Sequence, residues 1–158
     1  FFYVANALGS DITLTNLNPE SVQGDKKIVE ITQQMCYNRE KGLPACFDVD
    51  AADIPDLVPI LAVLATFGTA PSRITGAHRL AIKESDRLAS TADLLNRLGG
   101  KVDSCGDHRI AMCAAVAATR CTGEVTILHG ECVEKSYPRF YEDYRQLGGI
   151  ANVIVLES

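Results

Sequence analysis

Apolar residues in this chain gather into blocks that alternate with polar ones, and the blocks have two periods. Long runs such as FFYVANAL, IPDLVPILAVLATF and HRIAMCAAVAAT have the length and spacing of buried helices. Mixed runs such as QGDKKIVEITQQM, ESDRLASTADLLNRL and YPRFYEDYRQL place apolar residues three and four apart, as amphipathic helices do. Shorter β-rich runs lie between them. The pattern predicts helices over 1–8, 24–36, 54–67, 84–98, 108–120 and 137–147. It predicts strands over Ile12–Leu14, Arg73–Thr75, Glu124–Leu128 and Asn152–Leu156, with one more inside CFDVD before Ala51. The pairs Gly99–Gly100 and Gly148–Gly149 are expected to end their helices in the left-handed conformation.

The blocks repeat. Three times an apolar helix leads to a glycine (Gly9, Gly68, Gly123), then a short strand, a charged stretch and a second helix. Recurrence of one α/β unit predicts an α/β domain with pseudo-threefold arrangement, able to aim equivalent helix N-termini at a common site. One link breaks the pattern. Only KVDSCG separates Gly100 from Asp107, and a strand with its turns is not expected to fit there. Sequence is therefore expected to be missing near 99–101, and near 39–43 within the loop-like YNREKGLP. Phe1 stands inside a helical pattern, with no initiator Met and no capping residue before it. The reading is one domain over 1–158 that is a fragment of a larger protein.

Composition narrows the function classes. The 158 residues are 47% hydrophobic, ordinary for a packed core. No apolar run has the length of a membrane span. A net charge of −5 argues against general nucleic-acid binding, so any anion must be held by a local basic cluster. The six cysteines have neither CxxC nor zinc-finger spacing, which points to reduced thiols and a cytoplasmic setting.

Candidate chemistry lies at predicted helix starts. Lys83 and Arg87 share a helical face, and cations beside free helix N–H groups form an anion site. The alternative is a capped, solvated helix start with Glu84 or Ser85 at the boundary. Asp107 opens the next helix as an N-cap, followed by His108, read as a spectator or proton shuttle, and Arg109, whose charge opposes the helix dipole unless an anion is bound. Asp53 and Asp56 can cap the helix begun by Ile54-Pro55, and Asp56 can also accept a proton. A calcium loop over DVDAADIPD fails, because Asp53 stands where a glycine is needed and Pro59 where a glutamate is needed. Lys135 occupies a place in the repeat similar to Lys83. No metal-binding or nucleotide-binding motif is present.

Four stretches, IPDLVPILAVLA, RLAIKESDRLA, GDHRIAM and VEKSYPRFYEDYRQLGG, together resemble the 5-enolpyruvylshikimate-3-phosphate synthase family. The resemblance spans nearly the whole chain, and KESDR followed by GDHRIAM is its most specific part. It implies the C-terminal of two domains, each built of three βαβαββ units. It implies transfer of the carboxyvinyl group of phosphoenolpyruvate to the 5-hydroxyl of shikimate 3-phosphate, with no metal or organic cofactor. The N-terminal domain of the same enzyme, absent here, would be the partner, in a protein expected to be monomeric at full length. By motif, Asp56 resembles the proton acceptor, Lys83 the lysine on shikimate 3-phosphate, and Glu84 the carboxylate acting at the methylene carbon. Arg87 and Arg109 resemble the arginines that hold phosphoenolpyruvate, and Lys135 the lysine on its phosphate. His108 lies beside them without a fixed role. Arg79 stands where some members carry Asn, which leaves that substrate contact open. Another enolpyruvyl transferase, or a non-catalytic anion-binding domain, are the alternative readings.

Overall fold

The computed structural model describes residues 1–18 and 20–154. In chain order the elements are α1 (Phe2–Ala7), α2 (Lys27–Glu40), β1 (Asp48–Asp50), α3 (Val58–Thr66), β2 (Arg73–Thr75), α4 (Arg87–Asn96), β3 (Lys101–Asp103), α5 (His108–Ala118), β4 (Thr126–Leu128) and α6 (Phe140–Gln146). Among the described residues, four 3-10 turns join them, at Gly24–Lys26, Pro55–Leu57, Ala77–Ile82 and Gly130–Lys135. This is a mixed α/β fold.

The strands form two parallel pairs. β1 pairs β2 with Asp48 opposite Arg73, and β3 pairs β4 with Lys101 opposite Thr126. Each pair is closed by a helical crossover, α3 in the first and α5 in the second, giving two βαβ units. Counted from the paired strand ends, the units correspond closely. Asp50 and Asp103 close the first strands, and each accepts from the backbone N–H two residues on, Ala52 at 2.9 Å and Cys105 at 2.8 Å. Gly76 and His129 follow the second strands in the left-handed region, at φ 68° and 55°. A Cβ on Gly76 would meet the Asp50 carboxylate, so the turn there needs glycine. A six-residue 3-10 turn follows each, anchored by buried Leu80 in one and buried Val133 in the other.

α3 and α5 form the centre. α5 is buried from Ile110 through Ala117. Its small Ala and Cys side chains let it pack against α3, α4 and the 130–135 turn. Leu61, Leu64, Leu80, Leu94 and Ile110 are all essentially inaccessible, and each contributes about 1.5–3 kcal/mol of burial. A second cluster forms around Phe140, with Met112, Cys132 and Val133. All six cysteines are free thiols. Among the described residues, no helix is long and apolar enough to cross a membrane.

Several expectations need correction. KVDSCG does hold a strand, β3, because it needs only three residues. Cys105 and Gly106, at φ 53° and 68°, then turn the chain tightly into α5. Ile12–Leu14 is not a strand. The Asn6 side-chain amide takes both backbone groups of Ile12, donating to its carbonyl at 2.8 Å and accepting from its N–H at 2.9 Å, so no strand partner is needed. Asn152–Ile154 is likewise outside any strand, and the remainder of that expected strand, 155–156, lies outside the described residues. α4 begins at Arg87 rather than 84, because the Asp86 carboxylate accepts from the N–H groups of Leu88 and Ala89 and sets the boundary there. α6 begins at Phe140 rather than 137, and α2 runs on to Glu40. The expected left-handed helix ends are present at Gly99 and Gly148.

Candidate functional site

The site is assembled around Arg87, the first residue of α4. Its side chain is 1% exposed, and it fans three carboxylates around one guanidinium. Nε donates to Asp107 Oδ2 at 2.7 Å and Nη1 to Asp56 Oδ1 at 2.6 Å. Nη2 donates to Glu84 and, at 3.4 Å, to Asp107 Oδ1. Arg109, in the first turn of α5, donates from Nη2 to the other oxygen of Asp56 at 2.8 Å. Lys83 Nζ stands 3.3 Å from Asp56 Oδ1. One carboxylate, Asp56, thus bridges two arginines and a lysine that come from separate segments.

The local reasons are legible. Asp56 sits in the 3-10 turn Pro55–Leu57, and neither that turn nor α3 has a side-chain cap. The expected capping role for Asp56 is therefore not what its carboxylate does. Asp107 is the N-cap of α5, with Oδ1 accepting from Arg109 N–H at 2.9 Å. Its Oδ2 also accepts from Ser85 Oγ at 3.2 Å, and Ser85 in turn accepts from Ser90. The cations at these helix starts oppose the helix dipoles, and the carboxylates offset that cost. Among Lys83, Arg87 and Arg109 against Asp56, Glu84 and Asp107, the charges balance.

Burial pushes the Asp56 carboxyl up, but Arg109, Lys83 and Arg87 outweigh it and hold the group below the usual Asp range. Burial likewise pushes Asp107 up, and the Arg87 and Arg109 hydrogen bonds hold it below. Burial works against the Arg87 cation, and its carboxylate partners more than restore it. His108 is buried, and desolvation lowers its pKa so that it is neutral near pH 7. Its Nδ1 has no partner, nor has Arg109 Nε, among the described residues. Glu84, Asp107 and His108 bring ligand atoms within 4.8 Å of one another. Both carboxylates are already bound by Arg87, so a guanidinium stands where a metal ion would need to sit.

Two residues named from sequence stand apart from this cluster. Lys135 is exposed and donates to Gly106 O at 2.9 Å, one residue before Asp107. It lines an open cavity of about 470 Å³ with Asp103, Cys105, His129 and Cys132. By register Lys135 corresponds to Ile82 of the other unit, one position before Lys83. Arg79 is exposed in the 77–82 turn, with no polar partner among the described residues. Conversely, sequence reasoning saw Asp107 only as a cap and gave Ser85 no role in the site. The available signal was Arg87 itself, a cation at a helix start, which calls for a carboxylate.

A family model described as EPSP synthase (3-phosphoshikimate 1-carboxyvinyltransferase) matches residues 1–104 and 98–144. The chain is 39% identical over 180 aligned residues to the 3-phosphoshikimate 1-carboxyvinyltransferase of Clostridium perfringens, covering 95% of this chain and 42% of that protein. It is 40% identical over 176 residues to the enzyme of that name from Clostridium acetobutylicum, covering 94% and 41%. The Clostridium beijerinckii protein of that name is 35% identical over 181 residues, covering 95% and 42%. The chain belongs to the EPSP synthase family. It spans about 42% of the length of the curated relatives it matches.

Proposed function

We propose that this family member supplies the C-terminal half of an enolpyruvyl transferase site, in a domain of three βαβαββ units whose helix starts converge on the substrates. The substrates are phosphoenolpyruvate and shikimate 3-phosphate, and an N-terminal domain of the same enzyme completes the site. The carrying observation is Asp56, whose two oxygens already sit on Arg87 and Arg109. The two arginines therefore present a paired cradle of the kind that binds a carboxylate or phosphate group.

In this reading the anionic substrate takes Arg87 and Arg109 over from Asp56. Asp56, kept ionised, is then free to accept the proton of the 5-hydroxyl as its oxygen attacks C2 of phosphoenolpyruvate. Glu84 protonates the methylene carbon, giving a tetrahedral intermediate, and loss of a methyl proton expels phosphate. Lys83 contacts shikimate 3-phosphate, Lys135 the leaving phosphate, and His108 and Arg79 flank them. The steps need proton transfer and charge stabilisation alone. The double match of residues 98–104 supports a chain shortened near 99–101, and a second shortening near 39–43 belongs to the same proposal. A cytoplasmic protein, monomeric at full length, completes it.

The test is a titration of the chain with phosphoenolpyruvate, followed through the arginine side-chain NMR signals. Shifts at Arg87 and Arg109, lost in Arg87→Ala and Arg109→Ala, support the reading. Binding that ignores both substitutions overturns it. Alone, the chain should not turn over the two substrates, because half the enclosure is absent. Steady product formation by the purified chain would show that no second domain is needed.

A further inference from the structure

We propose that Asp107 is a positioning residue, a buried carboxylate that aims both arginines at the ligand without touching it. The proposal rests on the anion-site reading above. Asp107 is wholly inaccessible, and the two faces of Arg87 are unequal. On the Nη edge its close partners are Asp56 and Glu84, with side chains 30% and 45% exposed, which an entering anion can replace, and Asp107 Oδ1 reaches only Nη2, at 3.4 Å. On the Nε edge its partner is Asp107, which no ligand reaches. The same carboxylate holds the Arg109 N–H through Oδ1, so one group sets the direction of one arginine and the origin of the other. Ser85 bonds to Oδ2 and keeps the carboxylate from rotating between these tasks.

The fold itself does not require an acid at this position. In the first βαβ unit the corresponding turn residue is Ile54, which is buried and gives its helix start no side-chain cap. A buried ion pair is also seldom better for stability than an apolar pair. A carboxylate retained where isoleucine suffices fits a role in orienting Arg87.

Asp107→Asn separates the tasks, because asparagine caps a helix as well as aspartate does but lacks the charge that holds Nε. In the chain titrated with phosphoenolpyruvate, Asp107→Asn should weaken binding about tenfold, while α5 amide protection is retained. In an Arg87→Ala background the same substitution should change nothing further. Equal loss in both backgrounds, or normal affinity in Asp107→Asn while Arg87→Ala binds poorly, overturns the positioning role. An Arg87→Ala chain with unaltered affinity overturns the anion site itself, and this role with it. Should Asp107→Asn fail to fold, the unaltered chain decides. An Arg87 Nε–H signal that stays protected and still while the Nη signals move on ligand addition supports the role, and one that moves with them sinks it.

Discussion

The two βαβ units share a backbone plan and fill it with opposite chemistry. Where the first unit enters its closing helix with Arg87, the second places Phe140, and both side chains are fully buried. Where the first unit carries Asp56 in its crossover turn, the second carries Arg109. Phe140 sits among Phe2, Tyr137, Tyr141 and Tyr144, with ring centroids 5.2–6.4 Å apart, and serves packing. Arg87 sits among three carboxylates and is stable only because they are there. The difference teaches that this position is a core position by design of the fold. A charge there needs a reason other than packing, since an apolar residue meets the structural need in the other unit.

Breaking the charged side should have the largest consequence in catalysis. In the longer protein proposed here, Asp56→Ala should lower kcat by about 10²–10⁴-fold, and Arg109→Ala should act mainly on phosphoenolpyruvate affinity. Near-normal kcat in Asp56→Ala would remove Asp56 from the base role.

Next in size is stability. Asp107→Ala leaves Arg87 buried with its inner edge unpaired and removes a helix cap. It should cost about 3 kcal/mol in urea unfolding. Giving each position the apolar character of its counterpart in the other unit, Arg87→Met after Phe140 and Asp107→Leu after Ile54, should recover most of that loss while abolishing anion binding. If the double variant is less stable than the single one, the apolar equivalence of the two units is wrong.

Asp107 and Asp56 also carry a pH dependence of definite sign. Both titrate below the ordinary Asp value of 3.8. Their stabilisation is therefore complete above that value and is lost as pH falls through their depressed folded values. Acid unfolding of Asp107→Asn should be correspondingly shallower than that of the unaltered chain.

A smaller effect separates competition from support. Asp56→Asn removes the carboxylate that occupies the cradle, so inorganic phosphate should bind the chain about threefold to tenfold more tightly. Weaker binding would mean that Asp56 supports the arginines rather than standing in for the ligand.

Smallest is the surface pair at the second unit's strand end, Asp103 with His129 Nδ1 at 2.9 Å. The Asp103 hydrogen bond raises the His129 pKa above its ordinary value. Any stabilisation is present below that ordinary value and fades as pH rises through the folded one. Asp103→Asn should leave the urea-unfolding midpoint essentially where it is in the unaltered chain.

The local part of the molecule was legible in its residues. Periodicity located α3 and α5, Asp107 announced a helix start, Gly99 and Gly148 announced helix ends, and the motif stretches named the family. These are properties of a few consecutive residues, set by φ, ψ preference and by which face of a helix is apolar. What the sequence could not carry was partnership. Whether KVDSCG becomes a strand depends on Thr126–Leu128 lying alongside it, and whether Ile12–Leu14 does not depends on the Asn6 amide. That Asp107 faces Arg87 twenty residues upstream, that Asp56 bridges two arginines, and that Lys135 stands aside on Gly106 follow from how α3, α4 and α5 pack. Burial of their apolar faces decides which helix ends meet. The polar residues at those ends take their partners, their protonation and their chemistry from that meeting.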